Sequence, residues 1–339
     1  MKALALVPDS PPVTPPSTTM KAIVQEEYGS PDKLELREIP KPELEDDGVL
    51  VRVRAASLNA LDWRVMRGHP YLVRMDEGWR RPSPVRGVDL AGEVEAVGKN
   101  VTQFQPGDEV YGERSGSLAE YLAGKEERFA LKPANLTFEE AAAVPLAALT
   151  ALQGLRDKAL VEPGQKVLIN GAGGGVGTFA VQIAKWLGAE VTAVCGPDKV
   201  DLVRSLGADR VIDYSREDFT RTAERYDVLF DIGGTRPLRR CKRVLTPTGK
   251  LVFVGMPSFR VGLPLLRVVR GILGSRFSDR KALGFITKHS QDDLVVLTEL
   301  IEAGTLRPVV DRTFPLSEAP EALAYVEQNR AKGKVVITI

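Results

Sequence analysis

The chain has 339 residues, 43% hydrophobic and 27% charged, the composition of a globular protein whose length predicts two domains. Its 46 Lys and Arg nearly cancel its 45 Asp and Glu, so no basic excess draws it to nucleic acid or an anionic membrane surface. No run of about 18 apolar residues offers a membrane span, and the two cysteines, Cys195 and Cys241, exclude a disulfide scaffold and fit a reducing, cytoplasmic location.

Residues 1–19 open with an apolar piece too short for the centre of a signal peptide and lack an Arg-rich import pattern. A Pro/Ser/Thr stretch follows, so a disordered tail is expected. From Lys21 to about Pro145, short apolar runs alternate with Gly and Pro: KAIVQ, VLVRVRAASLN, LAGEVEAVG, GDEVYG and LAEYLA. Strands this short and frequent predict a compact all-β barrel or sandwich. FEEAAAVPLAALTALQGLRDKA then reads as helix. From Gln165 to about Gly255, strand patterns (QKVLING, EVTAVC, DRVIDY, YDVLFDIGG, GKLVFVG) alternate with helical ones, which predicts a parallel sheet covered on both faces. An apolar segment over 259–276 carries Arg267, Arg270 and Arg276 and reads first as a buried helix with a basic edge. The alternatives are the lining of an acceptor pocket, a contact with a second protomer, or a lipid-facing surface. From Asp292 the chain returns to helix and strand, ending in GKVVITI.

The most informative stretch is VLINGAGGGVG, Val167 to Gly177, where an aliphatic strand runs into five glycines within seven residues. A helix follows, with Val176, Phe179, Ala180, Ile183, Ala184 and Leu187 on one face, and Gly188 stops it. Gly171 suits a sharp turn, Gly174 lets a dinucleotide pyrophosphate approach the backbone, and Gly177 lets the helix pack on the sheet. Gly175 and Val176 begin the helix, whose free N–H groups and partial positive charge suit phosphate. The second strand ends Val194-Cys195-Gly196. It lacks the terminal acid that binds a ribose 2′-hydroxyl in NAD sites, so NADPH is expected over NADH. Asp198, past the strand end, is the contrary residue. Lys199 is either a phosphate contact or a solvated lysine at a helix start, and Cys195 reads as a small core residue.

The motifs together resemble the medium-chain dehydrogenase/reductase superfamily, in its zinc-free quinone oxidoreductase-like branch, from Lys21 to Ile339. They are Ala56-Ser57-Leu58-Asn59-Ala60-Leu61-Asp62, Gly87-Val88-Asp89-Leu90-Ala91-Gly92, Pro106-Gly107-Asp108-Glu109-Val110, Leu118-Ala119-Glu120-Tyr121 and the run Ala143 to Ala151. The resemblance implies a Rossmann domain, a doubly wound parallel α/β sheet, over 145–284. It implies a mostly-β GroES-like barrel domain over 20–144 and 285–339. It implies that Asn59 and Thr150 lie near the nicotinamide and that Lys199 and Tyr214 hold the 2′-phosphate, with Ser215-Arg216 nearby. Gly196, Gly255 and Lys334 complete the expected cofactor-binding set. Asn59 and Tyr71 are the expected catalytic donors.

Zinc-using relatives carry Cys, His and Glu where this chain has Asn59, Val88 and Asp89, so no zinc is expected. Asp62, Asp89 and His69 are instead read as two structural carboxylates and a loop residue. Without a Lewis acid, an activated acceptor suits best. The expected function is NADPH-dependent hydride transfer to quinones or α,β-unsaturated carbonyls by a homodimer. A zinc-free alcohol dehydrogenase or ketone reductase is the first rival. A nucleotide-binding redox sensor or binding module is the second, because fold alone does not fix function.

Overall fold

A computed structural model describes residues 18–69, 71, 74, 78, 80–254 and 280–339. Gly255 and the apolar, basic segment 259–276 lie outside the described residues. Among those described, the strands form a six-stranded, a seven-stranded and a two-stranded sheet.

The six-stranded sheet is parallel throughout. It contains β8 (Lys166–Asn170), β9 (Glu190–Cys195), β10 (Arg210–Asp213), β11 (Tyr226–Asp231), β12 (Leu245–Val254) and β13 (Lys281–Phe285), in the order β10-β9-β8-β11-β12-β13. Its strands are apolar on both faces because both faces are covered. Val167, Ile169, Val228 and Phe230 join one core cluster, while Leu168, Val194, Leu229 and Leu251 join another. This alternation is the period-two signature of a strand sandwiched between layers. The order reverses between β8 and β11, so their carboxyl ends open a crevice at a topological switch point.

The seven-stranded sheet contains β3 (Gly48–Leu58), β4 (Asp89–Val97), β5 (Glu109–Glu113), β6 (Tyr121–Lys125) and β7 (Phe129–Leu131). It is completed by two strands from the far end of the chain, β14 (Val310–Pro315) and β15 (Lys334–Thr338), with β15 antiparallel to β3. Val49, Val51 and Val53 of β3 pack into one cluster, and Ala56 and Leu58 into a second one beneath β15. β1 (Thr19–Gln25) and β2 (Leu34–Pro40) pair as a hairpin beside it. No helix among the described residues is long and apolar enough to cross a membrane.

The long helix expected over 138–159 is broken. It becomes α2 (Phe138–Ala142), α3 (Pro145–Leu152) and a π-helical turn, Gln153–Ala159. Pro145 is the cause: it has no N–H to give a preceding turn and instead occupies the first turn of α3, where none is needed. The break matters, because it turns the Leu146 N–H back toward Asp89 on β4 (3.1 Å).

Candidate active site

The turn after β8 leads into α4 (Gly175–Trp186), with Gly174 as an extended N-cap and no side chain capping the helix. Gly171 has φ 93°, a left-handed conformation that favours glycine. Gly177 is fixed by space: a Cβ there would lie 2.2 Å from the Gly171 carbonyl oxygen and 2.6 Å from Ala172 backbone atoms. Gly174 differs, since the nearest atom to a Cβ there is 3.7 Å away. The helix thus begins beside open space, with its partial positive charge unshielded by a capping side chain. This is a cradle fitted to a phosphate.

A strap from the far end of the chain, residues 331–334, crosses this turn. Gly333 donates its N–H to the Gly173 carbonyl (3.2 Å) and bridges to Gly174. At one end of the strap, Lys199 donates from Nζ to the Ala331 carbonyl (2.6 Å), and its stem would meet a Cβ at Gly173. Burial pushes the Lys199 ammonium below its ordinary range. The Tyr214 hydroxyl lies 3.1 Å from where a Gly196 Cβ would be. Lys199, Gly196 and Tyr214 therefore gather at the β9 and β10 ends. Asp198 is paired with Lys332 of the strap at 3.6 Å. Ser215 and Arg216 turn toward Asp213 instead.

At the other end, Lys334 is 2% exposed, and its stem would meet a Cβ at Gly175 (2.9 Å). Its ammonium donates to Asn59 Oδ1 (2.5 Å) and to Asp89 Oδ2 (3.1 Å). Asp89 is wholly buried and serves as a hub. Its Oδ2 also accepts from Asn59 Nδ2 (2.9 Å) and Ser57 Oγ (3.1 Å), while Oδ1 takes the Leu146 N–H. The β3–β4 register sets Ser57 opposite Asp89, and the β15–β3 register sets Val335 opposite Leu58. Lys334 and Asn59 meet as the next residues outward.

Asp62, in the first turn of α1 (Ala60–Arg67), accepts the Asn59 backbone N–H at 2.6 Å. Burial, partly countered by that hydrogen bond, pushes its carboxyl up to about 7. The folded state then holds this proton more tightly than the unfolded chain does. The linkage sign follows: stability falls as pH rises from the ordinary carboxyl range toward 7. Asp62→Asn is expected to raise the unfolding temperature relative to wild type more at pH 8 than at pH 5. Thermal melts at the two pH values check this, and an equal shift at both would mean that Asp62 does not hold a proton.

Thr150, on α3, donates to the Leu146 carbonyl (2.6 Å) and hydrogen-bonds Thr287 Oγ1 (2.7 Å) after β13. Tyr71 is 60% exposed, its ring edge-on to His69 (5.2 Å) and under the Arg74 guanidinium (4.8 Å). The structure thus brings together Asn59, Lys334 and the glycine turn, and separately Lys199, Gly196 and Tyr214. Sequence reading missed Ser57, Thr287 and the strap carbonyl of Ala331 as members of the neighbourhood. Ser57 had a signal, a hydroxyl two residues before Asn59 in the apolar end of β3, Ala55 to Leu58; the other two had none.

The positions that match zinc ligands of relatives do not fit a metal here. Val88 offers no donor atom, both Asp89 oxygens are engaged, and the Lys334 ammonium already bonds Asn59 and Asp89. A zinc site needs several free N, S or O donors around one point, and that point is held by a fixed positive charge. Among the described residues, no three His, Cys, Asp or Glu gather as metal ligands.

Comparison with known proteins supplies the family context. Residues 45–152 match the alcohol dehydrogenase GroES-like domain, and residues 206–337 match a family described as zinc-binding dehydrogenase. The chain is 36% identical to the NADPH-dependent alkenal/one oxidoreductase, chloroplastic, of Arabidopsis thaliana, over 94% of this chain and 79% of that protein. It superposes on a quinone oxidoreductase from Coxiella burnetii with a TM-score of 0.84 at 31% identity, covering 95% and 99% of the two chains. A solved NAD-dependent alcohol dehydrogenase is similar at TM-score 0.82 and 33% identity, covering 94% and 100%.

Proposed function

The chain belongs to the medium-chain dehydrogenase/reductase superfamily, among relatives named quinone oxidoreductase and alkenal/one oxidoreductase, and on that premise we propose that it is a zinc-independent, NADPH-dependent reductase of quinones or α,β-unsaturated carbonyls. The observation that carries this reading is the strap over the glycine turn. Its Ala331 end meets Lys199, its centre meets Gly173 and Gly174, and its Lys334 end meets Asn59. One cleft thereby has a cationic end suited to a 2′-phosphate, a phosphate cradle and a polar end suited to an acceptor.

When bound, the nicotinamide cofactor supplies the hydride. The rest falls to the protein. Gly171, Gly174, Gly175, Val176 and Gly177 form the phosphate cradle, and Lys199 with Tyr214 and Gly196 receives the 2′-phosphate. Thr150 and Asn59 border the nicotinamide end, and Lys334 closes it from β15. Asn59 Nδ2 carries two N–H groups and spends one on Asp89; the other donates to the acceptor oxygen as negative charge develops there. Tyr71, its ring held by His69 and Arg74, serves as the proton donor, with water as the other source. The chain works as a homodimer, which light scattering at twice 36.9 kDa would check. Two free, buried cysteines support a reducing location, taken as the cytoplasm and checked by fractionation, against a relative whose name is chloroplastic.

The likeness to an alcohol dehydrogenase favours one second reading, reduction of an unactivated ketone. A single assay separates the two: NADPH oxidation with an ortho-quinone, an enone, an enal and a saturated ketone, before and after dialysis against a chelator. Turnover of quinone or enone, silence with the ketone and indifference to the chelator are expected. Ketone turnover alone would transfer the protein to the second reading, and activity restored only by zinc would remove the metal-free mechanism. Tight NADPH binding with no turnover of any acceptor would favour a binding module.

A further inference from the structure

Asn59 sits between two opposite buried charges. A side-chain amide is polar in one sense only: its oxygen accepts and its nitrogen donates. With the Lys334 ammonium 2.5 Å from Oδ1 and the Asp89 carboxylate 2.9 Å from Nδ2, only one amide orientation is compatible. The flipped amide would set its oxygen against a carboxylate and its NH2 against an ammonium, losing two charge-assisted hydrogen bonds. The rest of the frame is equally fixed. Ser57 and the Leu146 N–H hold Asp89, and Asp62 holds the Asn59 backbone N–H. Four segments of the chain, the ends of β3, β4, α3 and β15, converge on this one side chain.

Burying an ion pair is a poor source of stability, because desolvation offsets the attraction, and such pairs are best understood where they specify a geometry. We propose that Asp89 and Lys334 are positioning residues: their buried ion pair sets the orientation of the Asn59 amide, so that its second N–H is presented to the acceptor end of the cleft. This rests on the reductase reading above for its kinetic consequence, but not for the orientation itself. Asn59 and Asp89, the two residues that the Lys334 ammonium bonds, are two of the three positions that match metal-ligand positions in zinc-using relatives, Val88 being the third. The lysine ammonium is the resident cation there.

The test is a double-mutant cycle in the intact enzyme. Asn59→Ala is expected to lower kcat about 100-fold, the cost of one donor to a developing oxyanion. Lys334→Met should lower kcat to a similar degree. The double variant should be no more than about threefold worse than the worse single variant, since the lysine acts through the asparagine. Multiplying losses would overturn the proposal. So would loss of NADPH affinity in Lys334→Met with turnover intact at saturation, which would make the lysine a direct cofactor contact.

A second arm needs no activity and guards against a variant that fails to fold. The chain has five asparagines, so selective 15N-asparagine labelling gives few side-chain amide signals, and Asn59→Ala identifies the pair from Asn59. In wild type this pair should be sharp and slow to exchange with water. In the neutral double variant Asp89→Asn/Lys334→Gln, which keeps polar side chains at both positions, it should broaden or split as the amide flips. An unchanged pair there would overturn the proposal even if no acceptor is turned over, whereas a silent wild type with the expected amide change would remove only the reductase reading.

Discussion

Gly174→Ala is expected to leave the fold intact and weaken cofactor binding, while Gly177→Ala is expected to damage both. The two glycines are three residues apart in one turn, and their surroundings explain the contrast. A Cβ at Gly177 would lie 2.2 Å from the Gly171 oxygen and 2.6 Å from the Ala172 backbone. No side chain can rotate away to make room, so α4 must shift off the sheet. Overpacking of this kind costs about 1–3 kcal/mol, a large share of a domain's stability. At Gly174 φ is −99° and the nearest atom to a Cβ is 3.7 Å away, so alanine fits the free protein. What it removes is the open space in which a pyrophosphate would rest. NADPH affinity should fall at least about tenfold, or about 1.4 kcal/mol, with a melting temperature within a degree or two of wild type. Fluorescence titration with NADPH and thermal melts of both variants check this. Undiminished NADPH affinity in Gly174→Ala would mean that the cofactor phosphates do not lie on this turn.

Lys199→Ala is expected to weaken NADPH binding about 10- to 100-fold and NADH binding no more than about threefold. A charge-assisted hydrogen bond is worth about 1.5–3 kcal/mol, and 1.4 kcal/mol is tenfold. The lysine is half-buried and donates to the Ala331 carbonyl, so its ammonium is already directed across the cleft. It stands on the side where Asp198, an acid that would repel a 2′-phosphate, is paired with Lys332. The Ala331 bond also supplies the counter-hypothesis. If Lys199 only ties the strap to the turn, both cofactors should weaken equally. Equilibrium titrations with NADPH and NADH separate the two outcomes, and the NADPH effect alone should shrink with added salt.

Much of the fold was legible because its signals are local. Val167–Asn170 followed by glycines and an amphipathic helix can form little else, and the four strand patterns that come next, EVTAVC, DRVIDY, YDVLFDIGG and GKLVFVG, became β9 to β12 of the same parallel sheet. The strands β2, β7, β13 and β14 were not read, because three to seven residues with partial burial give too little periodicity. The helix over 138–159 was misread as continuous because its composition is strongly helical, while Pro145, a first-turn residue, marks a start as readily as an interruption.

The site divides in the same way. The glycine turn, the strand end without an acid and the lack of Cys and His where zinc-using relatives carry them are legible in the chain alone, since each is a matter of residue type at close spacing. Folding placed the ammonium of Lys334, 275 residues from Asn59, on that side chain. It likewise decided that Ala331 would meet Lys199 and that Asp89 would gather four donors. The physical reason is register. The pairing of β15 with β3 and of β3 with β4 fixes which residues face one another, and a slip of one residue would turn every side chain to the opposite face. That choice is made by the packing of whole sheets, where Val335 and Ile337 bury with Ala56 and Leu58, and not by any residue of the site itself.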